Sequence, residues 1–219
     1  MDVFNLEELC NKYDSLLVDT CAFFSYLERN YNFITPTIKD KTAKYNSFNE
    51  IISFWIEKIP QNPIYSTEEI KRELSLGGGM YHYTKSVKKN SGHQTRELLE
   101  LRRSKQKEKK NILKLINLLQ EENRILTFDS TQKELYNSFF DKYSSLLNNP
   151  SKGDSSLLFS AGVLSKENDV CIISNDIHSI ANWKFFLNKE SIPRDKLNFY
   201  IHRGKDCYKE AIFNQTCLQ

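Results

Sequence analysis

The chain has 219 residues, of which 39% are hydrophobic, 27% charged and 12% aromatic; that is enough for a packed core and excludes wholesale disorder. The formal charge is only +3, and the seven glycines assemble neither a dinucleotide fingerprint nor a P-loop, so those nucleotide classes are excluded. Five scattered cysteines without a C-x-x-C pair argue against a disulfide framework or zinc knuckle, and no apolar run approaches the ~20 residues of a membrane span.

The first eight residues are acidic where a secretory leader is basic, so a cytoplasmic protein with reduced thiols is expected. Leu16, Leu17 and Val18 form an apolar run ending at Asp19, which predicts a buried strand feeding a helix capped by Asp19 or Thr20. Ser47 to Ile59 predicts a helix with Phe48, Ile51, Ile52, Trp55 and Ile59 on one face, stopped by Pro60. Ile64 to Ser66 is strand-like, a helix follows from Thr67 to Leu74, and Gly77 to Gly79 mark a loop. Gln94 to Glu122 contains neither Gly nor Pro, long enough for a helix of about 40 Å. Ile112, Leu115, Ile116 and Leu119 give its second half a packing face. Its middle, Arg102 to Asn111, has no apolar residue and is expected to stay out of any core. Ile125 to Phe128 predicts another strand, Gln132 to Leu147 a helix, and Gly153-Asp154 opens a helix through Leu164. Val170 to Ile173 is a buried strand ending at Ser174-Asn175-Asp176; a helix with Ile177, Ile180, Trp183 and Phe186 and a strand from Leu197 to Ile201 complete the pattern. Strands alternating with helices predict an α/β fold with a parallel sheet covered on both faces. One domain over 1–219 is expected, with 77–122 a glycine-led basic helical insertion.

Asp19 and Asp176 each follow a buried strand, and ligands of open parallel sheets bind beyond the carboxyl ends of the strands. Glu73 lies near the end of a helix that itself follows a strand, Glu69 is one turn earlier on the same face, and Asp154 sits in the first turn of its helix. Aspartate is also a routine helix cap, so each acid has a bland role available to it. Four acids brought together would repel one another and raise their pKa values; such a cluster implies a hard divalent cation held by oxygen ligands. The charge is uneven as well. Between Lys85 and Lys110 there are ten basic and three acidic residues, a local +7, which leaves −4 elsewhere. A basic arm beside acids is a candidate footprint for nucleic acid, although a solvated helix face has the same composition. Lys85, Lys88, Lys89, Arg102, Arg103, Lys105, Lys109 and Lys110 are its candidate contacts.

The segments Leu17-Val18-Asp19-Thr20, Glu73-Leu74, Gly153-Asp154-Ser155-Ser156-Leu157-Leu158 and Ile173-Ser174-Asn175-Asp176, in that order, resemble the PIN-domain nucleases, and the matched elements span residues 15 to 201. The resemblance implies a three-layer α/β/α sandwich around a central parallel sheet and Mg²⁺- or Mn²⁺-dependent cleavage of phosphodiesters, mostly in RNA. It makes Asp19, Glu73, Asp154 and Asp176 the catalytic and metal-ligating residues, directly or through water, with Thr20, Glu69 and Asn175 in supporting positions. The chain departs from the pattern at His178, where many members carry a further acid, and in the length of the segment from Gly77 to Glu122. The alternative to an RNA endonuclease is a non-catalytic PIN-like module binding RNA or protein, or a nuclease acting on DNA. Haloacid-dehalogenase-like phosphatases need an acid where Cys21 stands and are excluded. The partner expected is nucleic acid, RNA first, with a regulatory protein and a homo-oligomer left open and no membrane. The four histidines have no zinc spacing, and the cysteines read as small core or surface residues.

Overall fold

Ser15–Val18 and Val170–Ser174 are buried along their whole length, as befits strands covered on both faces of a parallel sheet. A computed structural model of the chain describes residues 3–23, 38–76, 96–143, 151–174, 196–203 and 206–209. In chain order these form β1 (Val3–Asn5), α1 (Leu6–Lys12), β2 (Ser15–Val18), α2 (Thr20–Phe23), α3 (Ile38–Lys58) and a 3-10 turn (Ile59–Gln61). Then come β3 (Ile64–Thr67), α4 (Glu68–Ser75), α5 (Arg96–Glu121), β4 (Ile125–Leu126), α6 (Ser130–Tyr143), α7 (Lys152–Leu164), β5 (Val170–Ser174), β6 (Leu197–Arg203) and β7 (Asp206–Lys209). The strands join in the order β1-β7-β6-β5-β2-β3-β4. From β6 to β4 every pairing is parallel, while β7 runs antiparallel to both β6 and β1. Helices flank this sheet in a three-layer α/β/α sandwich. No described helix is long and apolar enough to cross a membrane.

The order contains a reversal that positions the site. From β2 the chain moves outward through β3 to β4, then returns to the other side of β2 for β5 and β6. The switch point of the sheet therefore lies between β2 and β5, where a crevice opens at the carboxyl ends of the strands. The registers Val18↔Ile173 and Leu17↔Tyr65 bring the ends of β2, β3 and β5 to one edge.

Trp55 of α3 is fully buried, sets its ring edge-on to Phe23 at 5.4 Å, and donates from Nε1 to the Ala22 carbonyl at 3.1 Å. This contact anchors the start of α2 immediately after Asp19.

Three expectations need correction. The helix expected from Ser47 is already formed at Ile38, because its polar first half carries no apolar stripe to mark it. Pro60, as expected, ends the helix and sits in the 3-10 turn. The pairings of β1 with β7 and of β7 with β6 lie outside the alternating pattern and are additional to it. Finally, the middle of α5 is not wholly solvated. Leu101, Glu108 and Ile112 are buried against α3, and Ser104 and Asn111 are half-buried. Hydrogen bonds rather than apolar contacts join the helices there: Asn49 Nδ2 donates to the Ser104 carbonyl at 3.2 Å, Asn111 Nδ2 to Asn49 Oδ1 at 2.9 Å, and Ser104 Oγ to Asn46 Oδ1 at 2.9 Å. The opposite face carries Arg102, Arg103, Lys105, Lys109 and Lys110, all exposed. The glycine loop at 77–79, the helix expected through Ile177 to Phe186, and Lys85, Lys88 and Lys89 lie outside the described residues.

Candidate functional site

Asp19 is the first residue beyond β2. Its backbone N–H donates to the Ile173 carbonyl of β5 at 2.9 Å, and its own carbonyl accepts from Ala22 and Phe23 to start α2. The side chain does not cap that helix. Its Oδ2 accepts from Ser174 Oγ at 2.6 Å and from Cys21 Sγ at 2.8 Å, and the hydroxyl and thiol lie 3.2 Å apart. Asp19 and Ser174 are both buried, so this carboxyl has exchanged water for two protein donors. Burial pushes its pKa up to about 7, the charge of Asp154 adds to that, the bonds from Cys21 and Ser174 oppose it, and Glu73 adds a smaller push.

Glu73 comes to the same place from α4. Its Oε2 accepts from Thr20 Oγ1 at 2.6 Å. Its carboxyl lies against Gly153 so closely that a Cβ there would stand 2.8 Å from both Glu73 Cδ and Ile70 Cδ1. Thr67, the N-cap of α4, shares a 2.6 Å hydrogen bond with Ser156, whose hydroxyl also donates to the Gly153 carbonyl at 2.8 Å. The first turns of α4 and α7 are thereby stitched together, which fixes Glu73 relative to Asp154. Replacing Gly153 with alanine is expected to lower stability by up to about 2 kcal/mol in urea or thermal melts. Overpacking a fixed contact costs about 1–3 kcal/mol, more than the ~1 kcal/mol of helix propensity gained, since Ile70 is fully buried.

Asp154 reaches the site from the third position of α7. It closes a capping box: Asp154 N–H donates to Ser151 Oγ at 3.0 Å, and Ser151 N–H donates to Asp154 Oδ2 at 2.9 Å. The cap role and the site role coexist in this residue. Asp19, Asp154 and Ser174, with apolar walls from Leu157, Leu158, Ile172 and Phe199, line a cavity of about 10 Å³, room for one water or one ion.

Of the candidate residues, Asp19, Glu73, Asp154 and Thr20 thus meet at the switch point. Glu69 pairs with Arg72 at 3.3 Å on its own helix. Asp176 and Asn175 lie outside the described residues; in sequence they follow Ser174 directly. As the side chains stand, no three His, Cys, Asp or Glu among the described residues form a group that could hold a metal ion. The Asp19 carboxyl, raised by burial first and then by two neighbouring acids, borders the small, largely apolar cavity. Cys21 and Ser174 were not among the sequence-derived candidates. Their signals were position alone, two residues after Asp19 and at the last residue of β5.

No family model matches the chain, and comparisons with curated proteins and with solved structures gave no match.

Proposed function

We propose that the protein is a Mg²⁺- or Mn²⁺-dependent endonuclease that hydrolyses single-stranded RNA at the cleft between β2 and β5. The observation that carries this reading is the Asp19 carboxyl at the sheet's switch point, buried beside Asp154, its pKa raised by that burial first, then by Asp154 and, least, by Glu73. Asp19, Glu73 and Asp154, joined by Asp176, would hold the cation. The chemistry that such an ion supplies is an ionised water and neutralised charge on the phosphate oxygens. Ser174 and Cys21 orient the Asp19 carboxylate, and Thr20 orients that of Glu73. Supporting groups of this kind set how tightly and in what direction ligands are presented. The test is internal cleavage of an unstructured RNA by the purified protein, supported by either metal and stopped by EDTA. A preparation that cuts neither RNA nor DNA with either ion favours the non-catalytic module instead.

Acids alone repel a polyanion, so an approach surface of opposite sign is needed. The α5 helix packs on α4, which carries Glu73, and exposes Arg102, Arg103, Lys105, Lys109 and Lys110. Among the described residues none of these five forms an ion pair, whereas Lys58, Lys71, Arg72, Arg96 and Lys196 do. These five form the proposed track for the strand. Changing the five α5 cations to glutamine should weaken RNA binding and reduce the slope of log affinity against log salt by about 3, since each single-strand phosphate contact contributes about 0.7. Apart from the loss of Lys105, whose charge opposes the burial of ionised Glu108, the melting temperature should hardly move. An unchanged slope would reduce the arm to a solvated helix face.

A further inference from the structure

Beside the acid cluster lies a group of aromatic side chains that neither the chemistry above nor the main core uses. Phe128, Tyr136, Phe140 and Phe159 stand with ring centroids 5.1 to 6.3 Å apart. Phe159 is buried beneath the others, while Phe128, Tyr136 and Phe140 are half-buried. None of the four belongs to the main hydrophobic core; they are a satellite cluster. Leu135, next to Tyr136 in α6, is 57% exposed.

The cluster is joined to the cleft. Tyr136 donates its hydroxyl to the Lys152 carbonyl at 3.2 Å, two residues before Asp154. The Glu69 carboxylate is near enough to add to the burial that pushes the Tyr136 phenol up to about 12. Tyr136 therefore remains a neutral donor at working pH, its position set by the first turn of α7. An aromatic surface that begins within one helical turn of a carboxylate site can receive the bases of a strand whose phosphate occupies that site.

Resting on the nuclease reading above, we infer that Phe128, Tyr136 and Phe140 form a stacking platform for unpaired bases flanking the scissile phosphate. Base–aromatic stacking tolerates any sequence because every base has a π-face, and it requires bases freed from a duplex. The platform thus selects single-stranded over paired substrates without reading sequence. An aliphatic patch would serve a protein partner equally well. Three aromatic rings tied through Tyr136 to the first turn of α7, which carries Asp154, fit a nucleic acid strand better.

The experiment compares binding of an oligouridine of about ten nucleotides with binding of an abasic strand carrying the same number of phosphates, by fluorescence anisotropy in EDTA to prevent turnover. Wild-type protein should prefer the oligouridine by about tenfold or more. Tyr136→Leu/Phe140→Leu keeps apolar volume and removes the π-faces; it should bind both strands alike and melt close to wild type. Phe128→Leu gives a second variant in case the pair unfolds. Equal wild-type affinity for the two strands, or a preference surviving in the leucine variants, overturns the inference. If that occurs while metal-dependent cleavage is intact, the platform alone falls. If neither binding nor cleavage is seen, the nuclease reading falls with it.

Discussion

Asp19→Asn is expected to reduce RNA cleavage by at least about 100-fold, the range typical for loss of one electrostatic group from a preorganised site, while making the metal-free protein more stable at pH 8. The two effects share a cause. In the folded chain the Asp19 carboxyl is raised to about 7 from a reference of 3.8. A raised acid contributes stability that is fully present below its unfolded pKa and is lost as pH rises through the folded one. Wild-type protein should therefore lose stability between about pH 4 and pH 7 on account of Asp19, on the order of 4 kcal/mol. Asparagine keeps the shape and can still accept from Ser174, but carries no charge to bury. Melting curves across that range should be flatter for the variant in the absence of divalent metal. Mg²⁺ should stabilise wild type more than the variant. Full activity in Asp19→Asn would trace the cleavage to a contaminant or to another site.

The second large effect lies in the seam between α3 and α5. Glu108 is buried, its Oε1 has no hydrogen-bond partner, and burial pushes its pKa up to about 7, with only Lys105 opposing. Glu108 also raises the pKa of Tyr45 across the seam on α3, where burial already pushes it up to about 12. Because the reference value is 4.5, the stability owed to neutral Glu108 is present below about pH 4.5 and lost as pH rises through 7. Glu108→Gln removes that loss, and at pH 8 it should raise stability by on the order of 3 kcal/mol in urea denaturation. At pH 4 the two proteins should be nearly equal. A gain of the same size at both pH values would show that the glutamate is not the titrating group.

The two titrations also illustrate what was legible in the residues. Apolar runs closed by an acid or hydroxyl announced β2 and β5, because strands buried on both faces leave little freedom of composition. The order of Asp19, Glu73 and Asp154 at element ends was enough to expect them at one edge, and the switch point brings these three together. The donors around them were not legible. Cys21 and Ser174 differ in no local respect from other small residues, and only the Val18↔Ile173 register turns them toward one carboxylate. Glu108 was misread for a related reason: a run without apolar residues looks solvated unless the partner helix is known to offer Asn46 and Asn49. The strands β1 and β7 are three and four residues long, too short to carry a periodicity of their own. The capping box joining Asn5 and Glu8 was a readable helix start that the acidic character of the segment obscured.

Pairing of Val3 with Tyr208 and of Asn5 with Asp206 has a consequence for how the protein is made. Val3 and Tyr208 are 205 positions apart, so the loop-closure entropy of this pairing is among the largest in the fold, and contacts of this kind slow folding. During synthesis, β1 must wait on the ribosome until β7 has emerged. The β2–β3 pairing can already form while that wait continues, but β5, which brings Ser174 to Asp19, comes later in translation. The acids on β2 and α4 therefore leave the ribosome well before the strand that completes their surroundings, so the site matures late in synthesis.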